Sequence, residues 1–194
     1  MDFTRTEAAQ DLSGLVRSIV DTVCTPEHQR ALDGLDQRFD DALWRTLIDA
    51  DILSTAAPES IGGGGFGVLE QTAILTALGR QLAAVPFLES VALAAGALAQ
   101  SGSDMLCRSW AEPAVSGARI LTVALDGELG QPPVRAEATP TGYRLTGSRT
   151  QVPFGPVADA ILVPAETDAG TRVLLVSAAD PGVSITPLRT TGKN

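Results

Sequence analysis

Ala57-Pro58-Glu59-Ser60-Ile61-Gly62-Gly63-Gly64-Gly65-Phe66-Gly67 is the stretch on which the reading of this chain turns. By itself the string specifies a turn, because glycine reaches backbone angles closed to other residues and lets another segment or a ligand approach the main chain. No Gly-Lys-Ser/Thr follows, so it is not a Walker loop, and no strand precedes it as a dinucleotide fold requires. Helical patterns stand on both sides instead. Upstream, Phe39, Leu43, Trp44, Leu47 and Ile48 form one apolar stripe that ends near Ala50-Asp51. Downstream, Val68 to Leu82 spaces its apolar residues as a long helix.

Working outward, the pattern stays helical. Thr4-Arg5-Thr6-Glu7 has the form of a capping box, and Leu12, Leu15, Val16, Ile19, Val20 and Val23 follow at helical spacing. Thr25-Pro26 restarts a short helix with proline where no amide is needed. Pro86 to Gln100 and Asp104 to Trp110 complete the set. These helices lack sheet partners, which predicts an all-α bundle. Beyond Val115–Arg119 the character changes. Arg119–Leu125, Val134–Ala138, Tyr143–Thr146, Asp159–Val163, Thr171–Val176 and Val183–Thr186 are short β-rich runs bounded by Gly or Pro. They predict an antiparallel β-barrel or sandwich. The fold class is therefore α+β, with a helical domain over 1–116 and a β-domain over 117–194.

Composition agrees with that division. The 194 residues are 44% hydrophobic, enough for a real core, with a net charge of −9. Residues 1–115 hold 16 acids and 7 bases, whereas 116–194 hold 7 of each. An acidic chain has no footprint for nucleic acid and is repelled by anionic membranes. The N-terminus carries acids rather than a basic n-region, and the most apolar stretch, Leu82 to Ala99, is interrupted by Pro86 and Glu89. No targeting or spanning segment is expected, and the cytoplasm is the expected location. Cys24 and Cys107 show no metal-type spacing and read as ordinary thiols.

The ordered set Leu43-Trp44, Leu47, Ile52-Leu53, Pro58-Glu59, Gly62-Gly63, Gly67, Glu70 and Leu78-Gly79-Arg80 resembles the N-terminal domain of acyl-CoA dehydrogenases. In that family a helix leads into a "PE-x-x-GG-x-G" loop and then into a long helix. Val115-Ser116-Gly117-Ala118-Arg119 resembles the family's entry into its middle β-domain, and Gly142 to Arg149 its "GY-x-L-x-G-x-K" hairpin. Ala158-Asp159 with Ile161-Leu162-Val163 is similar to the strand after it, and Asp180-Pro181-Gly182-Val183 to an "x-PGV" turn.

The resemblance implies oxidation of an acyl-CoA thioester to its α,β-unsaturated form with FAD. A glutamate takes the α-proton while hydride passes to the flavin, in a dry site that stabilises the enolate. It also implies where the flavin would lie, and the sequence departs at both places. Ala124, Leu125 and Asp126 stand where a Thr-Glu-Pro-type turn is expected. Gln151, Val152 and Pro153 stand at a Trp-Ile-Thr motif, so the threonine hydroxyl is replaced by a residue with neither hydroxyl nor amide hydrogen. Leu125, Asp126, Gln151, Val152 and Pro153 are thus the candidate cofactor-binding residues, in degraded form.

The family's C-terminal helical bundle, which supplies the glutamate base, is not in this chain, so no catalytic residue is nominated. Glu59 belongs to a loop that is structural in the family. Glu70 and Glu89 read as solvated or interfacial, and His28 as a surface or capping residue. Arg144 and Arg149 would suit a CoA phosphate or simply a solvent face. The expected protein is a subunit of an acyl-CoA dehydrogenase. It resembles the weaker partner of actinobacterial heteromers that act on steroid side-chain CoA esters. A homologous partner in a homo- or heterotetramer would hold the complete flavin site. A purely structural subunit that binds no flavin, and a flavin monooxygenase on the same architecture, are the alternatives.

Overall fold

A computed structural model describes residues 6–125 and 130–188. Helix α1 spans Glu7–Val23 and is capped by Thr6, whose hydroxyl accepts from the Ala9 amide at 3.0 Å. The cap is thus Thr6, two residues later than the capping-box reading placed it, and Thr4 lies outside the described residues. Helix α2 (Pro26–Asp33) starts as expected, with Thr25 as cap and Pro26 in the first turn. Helix α3 (Asp41–Asp49) is capped by Asp40, and a short α4 (Ile52–Thr55) follows. Helix α5 (Val68–Arg80) packs along α1.

The next helical segments are distorted. A π-helical stretch Phe87–Ala95 passes into α6 (Gly96–Ser101). After the short α7 (Asp104–Leu106), a second π-helical stretch, Cys107–Ala111, leads into α8 (Glu112–Val115). Helix therefore continues past Trp110, through Pro113. Proline removes one backbone donor and crowds the preceding turn, and a widened π-turn ahead of it relieves that crowding.

The β-half is one five-stranded sheet: β1 (Leu121–Val123), β2 (Val134–Thr139), β3 (Gly142–Thr146), β4 (Ala160–Thr167) and β5 (Gly170–Ser177). The hairpins β2–β3 and β4–β5 are antiparallel, as the turn residues predict. The wholly antiparallel expectation is corrected, because β4 pairs in parallel with β1 and with β2. Parallel neighbours need a long crossover, and the β2–β3 hairpin with the loop over 147–159 supplies one. Val183–Thr186, expected as a strand, pairs with no strand among the described residues. The Asp180-Pro181-Gly182 turn, closed by Val183 N–H to the Asp180 carbonyl at 2.9 Å, leads this segment away from the ladder.

Two hydrophobic clusters follow from the strand period of two. Leu121, Val123, Ala160 and Leu162 point to the helices and join the large core with Val16, Leu43, Leu47, Phe87 and Val91. Their alternates Ile161, Val163 and Ala165 join Ala124, Val134 and Ala136 on the opposite face. Low exposure on both faces, one against the helices and one at the base of a concave surface, accompanies the unbroken apolar run in β4. One hydrogen bond pins the helices to the sheet: the buried Leu121 N–H donates to the buried Ser90 Oγ at 3.0 Å.

Candidate functional site

The glycine loop is stitched to itself and to α4. Gly63 N–H donates to the Pro58 carbonyl, Gly64 N–H to Ser54 and Gly65 N–H to Ala57, all within 3.0 Å. Gly62 has φ +81°, in the left-handed region, and a Cβ on Gly63 would stand 2.1 Å from the Ala57 carbonyl oxygen. The glycines serve close approach of one backbone segment to another. Glu70 closes the loop, accepting from Gly67 N–H at 3.0 Å and from the Thr6 hydroxyl at 2.5 Å. The residue is buried, not solvated, and the Thr6 hydroxyl bond is the main reason its carboxyl sits below the ordinary range. Glu59 occupies the 3₁₀ turn Glu59–Ile61, exposed, with its side chain against Gly65.

His28 is neither free nor a cap. Its Nε2 lies 2.8 Å from Oδ2 of Asp40, which is 1% exposed and whose other oxygen caps α3 through the Leu43 amide. Cys24 is a buried free thiol whose pKa burial raises, while the half-buried Cys107 donates its S–H to the Leu98 carbonyl.

The second face of the sheet opens into a cleft of about 960 Å³. Its floor is Ala124, Val134, Ile161, Val163 and Val176. The loop after β3 forms one wall, the segment Val183–Leu188 another, and Glu89 reaches it from the helical half. Gln151, Val152 and Pro153 stand together on the loop wall. Leu125 is exposed and does not line the cleft, and Asp126 lies outside the described residues.

The loop is held in an uncommon conformation. Gln151 has φ +57° and Phe154 φ +53°, both left-handed positions that β-carbon sterics disfavour. Tertiary contacts hold it there. The buried Thr122 hydroxyl donates to the Pro153 carbonyl at 2.6 Å, and the Phe154 ring meets Phe39 edge-on with centroids 6.4 Å apart. These residues do not fit the flavin role that the family resemblance implies. Pro153 has no donor, and its carbonyl is already engaged by Thr122. Gln151 offers an amide where an indole would stack.

Arg144 and Arg149 both line the same cleft. Arg144 faces Glu137 across the β2–β3 hairpin. Arg149 donates Nη2 to the Pro164 carbonyl at 3.3 Å, and its Nε is buried without a partner among the described residues. Glu89, expected to be solvated or interfacial, reaches the same cleft from the helical half. It is half-buried on the cleft, and burial raises its pKa. The available signal was an acid set in a run of alanine, valine and leucine, which reads equally as a solvated helix face.

Known proteins match this chain closely. The acyl-CoA dehydrogenase, N-terminal domain, matches residues 6–118. Acyl-CoA dehydrogenase FadE27 of Mycobacterium tuberculosis is 72% identical over 99% of this chain and 52% of its own length. The solved ChsE4-ChsE5 complex of the same organism superposes with a TM-score of 0.95 at 72% identity, over 97% of this chain and 52% of that one. A solved Tcur3481-Tcur3483 steroid ACAD variant superposes with a TM-score of 0.91 at 34% identity, over 98% of this chain and 54% of that one. The chain thus spans about half the length of these relatives. With more than half of its residues matched by the N-terminal domain, and the helix–glycine loop–helix and sheet geometry in place, the chain belongs to the acyl-CoA dehydrogenase family.

Proposed function

We propose that this chain works as one subunit of an acyl-CoA dehydrogenase-type oxidoreductase, with a homologous partner subunit supplying the complete flavin site and the catalytic base. Family membership supports the reaction class, α,β-dehydrogenation of an acyl-CoA thioester. The relatives support the heteromer, since one is part of a ChsE4-ChsE5 complex and another a steroid ACAD. A steroid side-chain CoA ester is accordingly the substrate class we assign, and a tetramer the assembly. FAD supplies the hydride acceptor in such enzymes, and we assign it mainly to the partner. The observation that carries this reading is the cleft wall at Gln151–Pro153, whose one well-placed carbonyl is bound internally by Thr122. What this chain contributes is shape: an apolar floor, a fixed wall and exclusion of water.

We place residues 1–116 and 117–194 as the helical and β-domains, and the protein in the cytoplasm. No helix among the described residues is long and apolar enough to cross a membrane. The experiment is purification with and without a coexpressed homologous partner. The expected result is a colourless, inactive chain alone and a yellow complex that dehydrogenates acyl-CoA. A flavin spectrum from the lone chain would overturn the division of labour. A complex that forms but never dehydrogenates would favour the purely structural subunit.

A further inference from the structure

His28 and Asp40 form a pair that the proposed chemistry does not use. Asp40 is 1% exposed and stands where three segments of the helical half meet. Its amide donates to the Ala84 carbonyl at 2.8 Å, which ties it to the turn after α5. Its carboxylate is divided between the other two: Oδ1 caps α3 through the Leu43 amide at 3.0 Å, and Oδ2 lies 2.8 Å from His28 Nε2 on α2. The His28 side chain keeps 30% of its surface in solvent, so protons reach the ring while the carboxylate is shut away.

The other charges nearby do not compete for Asp40. At the end of α1, Asp21 accepts from Gln81 Nε2 at 2.6 Å, and the Cys24 thiol, raised by burial and by Asp40, is uncharged. On α2, Glu27 and Arg30 pair with each other in solvent. Arg38, in the connection to α3, pairs with Asp33 at 3.0 Å and donates to the Leu82 carbonyl. Asp41 pairs with Arg45 along α3, while Asp36 and Arg80 are exposed. Among the described residues, His28 alone pairs with Asp40.

A buried carboxylate is costly unless paired, and a hydrogen bond from a charged donor is the stronger kind. A neutral imidazole gives Asp40 one hydrogen bond, and a protonated imidazole adds a compensating charge to it. Histidine is the side chain whose ordinary charge change falls between about pH 5 and 8. The pair therefore tightens as pH falls through that range and loosens as pH rises. What it holds lies next in the chain. Phe39 precedes Asp40 and meets the Phe154 ring edge-on, and Phe154 keeps a left-handed backbone in the loop that walls the cleft.

We propose that His28 and Asp40 form a proton-operated latch, in which protonated His28 fixes Asp40 and, through Phe39 against Phe154, steadies the loop over 150–155. His28 is a positioning residue in this scheme. The latch needs neither flavin nor a bound ligand, so it stands apart from the function proposed above.

Hydrogen exchange on the full chain, read by mass spectrometry at about pH 5.5 and about pH 8 and corrected for the chemical rate, tests it. Protection of a peptide over 150–158 should be roughly fivefold greater at the lower pH, the scale that separates a charge-assisted from a neutral hydrogen bond. A peptide over 170–177 in β5 should stay level. His28→Gln keeps a hydrogen-bonding end but cannot change its charge, and should leave the 150–158 peptide level as well. Phe39→Leu keeps the pair and cuts the ring contact, and is the reporter if the glutamine variant misfolds: the start of α3 should still respond to pH and the wall should not. Equal protection of the wall at both pH values in wild type would overturn the proposal. So would a pH response of the wall retained in either variant, or one shared equally by β5.

Discussion

Two loops of this molecule look alike in their irregularity and differ in how their backbones are satisfied. The glycine loop over 62–67 is closed on itself, with successive amides donating to Pro58, Ser54 and Ala57 and with Glu70 holding its end. The loop over 150–155 instead places two non-glycine residues, Gln151 and Phe154, at left-handed angles and is held by Thr122 and Phe39 from other elements. The first loop is the more conspicuous in sequence and is architectural. The second is plain in sequence and forms the wall of the cleft. Strain belongs where a tertiary structure over-determines a segment, and such places are where sites are found.

Breaking each loop in turn tests this difference. The largest effect is expected from Gly63→Ala, because the added methyl would lie 2.1 Å from the Ala57 carbonyl and the loop must open to admit it. Chemical denaturation should show a loss of about 2–3 kcal/mol. Stability unchanged within error would mean the loop is looser than its hydrogen bonds imply.

Thr122→Val is next. It keeps the shape of a fully buried side chain and removes the hydroxyl that holds the Pro153 carbonyl. About 1–2 kcal/mol should be lost, and proteolysis should begin to cut near Gln151. Cleavage confined elsewhere would show that Phe154 against Phe39 suffices to hold the wall.

The smallest effect separates the loops by acid. Glu70 has its pKa lowered in the folded chain, chiefly by the Thr6 hydroxyl, so its contribution is complete above the ordinary carboxylate value of 4.5. That contribution is lost as pH falls below 4.5 toward the folded-state pKa, because the unfolded chain then binds the proton more readily. Thermal melts of wild type and Glu70→Gln should therefore converge on acidification. A gap that stays constant down to pH 3 would assign the difference to lost geometry instead of charge.

Much of this was legible from residue order. The α1 stripe from Leu12 to Val23 and the start of α2 at Thr25-Pro26 depend on local periodicity and capping, and both stand except that Leu15 of the stripe is exposed. So does the β2–β3 hairpin, whose register places Thr139 opposite Gly142 around the Pro140-Thr141 turn. The parallel pairing of β4 with β1 and β2 was not legible, since an apolar run such as Ala160–Val163 fits any strand covered on both faces. Nor was the cleft. Glu89 comes from a π-helical stretch far in the chain from the β4–β5 hairpin that carries the paired Ile161 and Val176, and only packing brings them to one surface.

What the sequence determined by itself, then, was the succession of elements, a helical half followed by a β-half, and the family to which the glycine loop and its flanking helices belong. These are written in short-range patterns that spacing and turn chemistry impose directly. Only the tertiary structure decided that Glu70 is buried under Thr6, that Pro153 is turned inward to Thr122, and that Glu89 stands half-buried on the cleft. Each of those depends on a contact between distant residues, and burial, which sets both hydrogen-bond partners and pKa, exists only once the chain has folded.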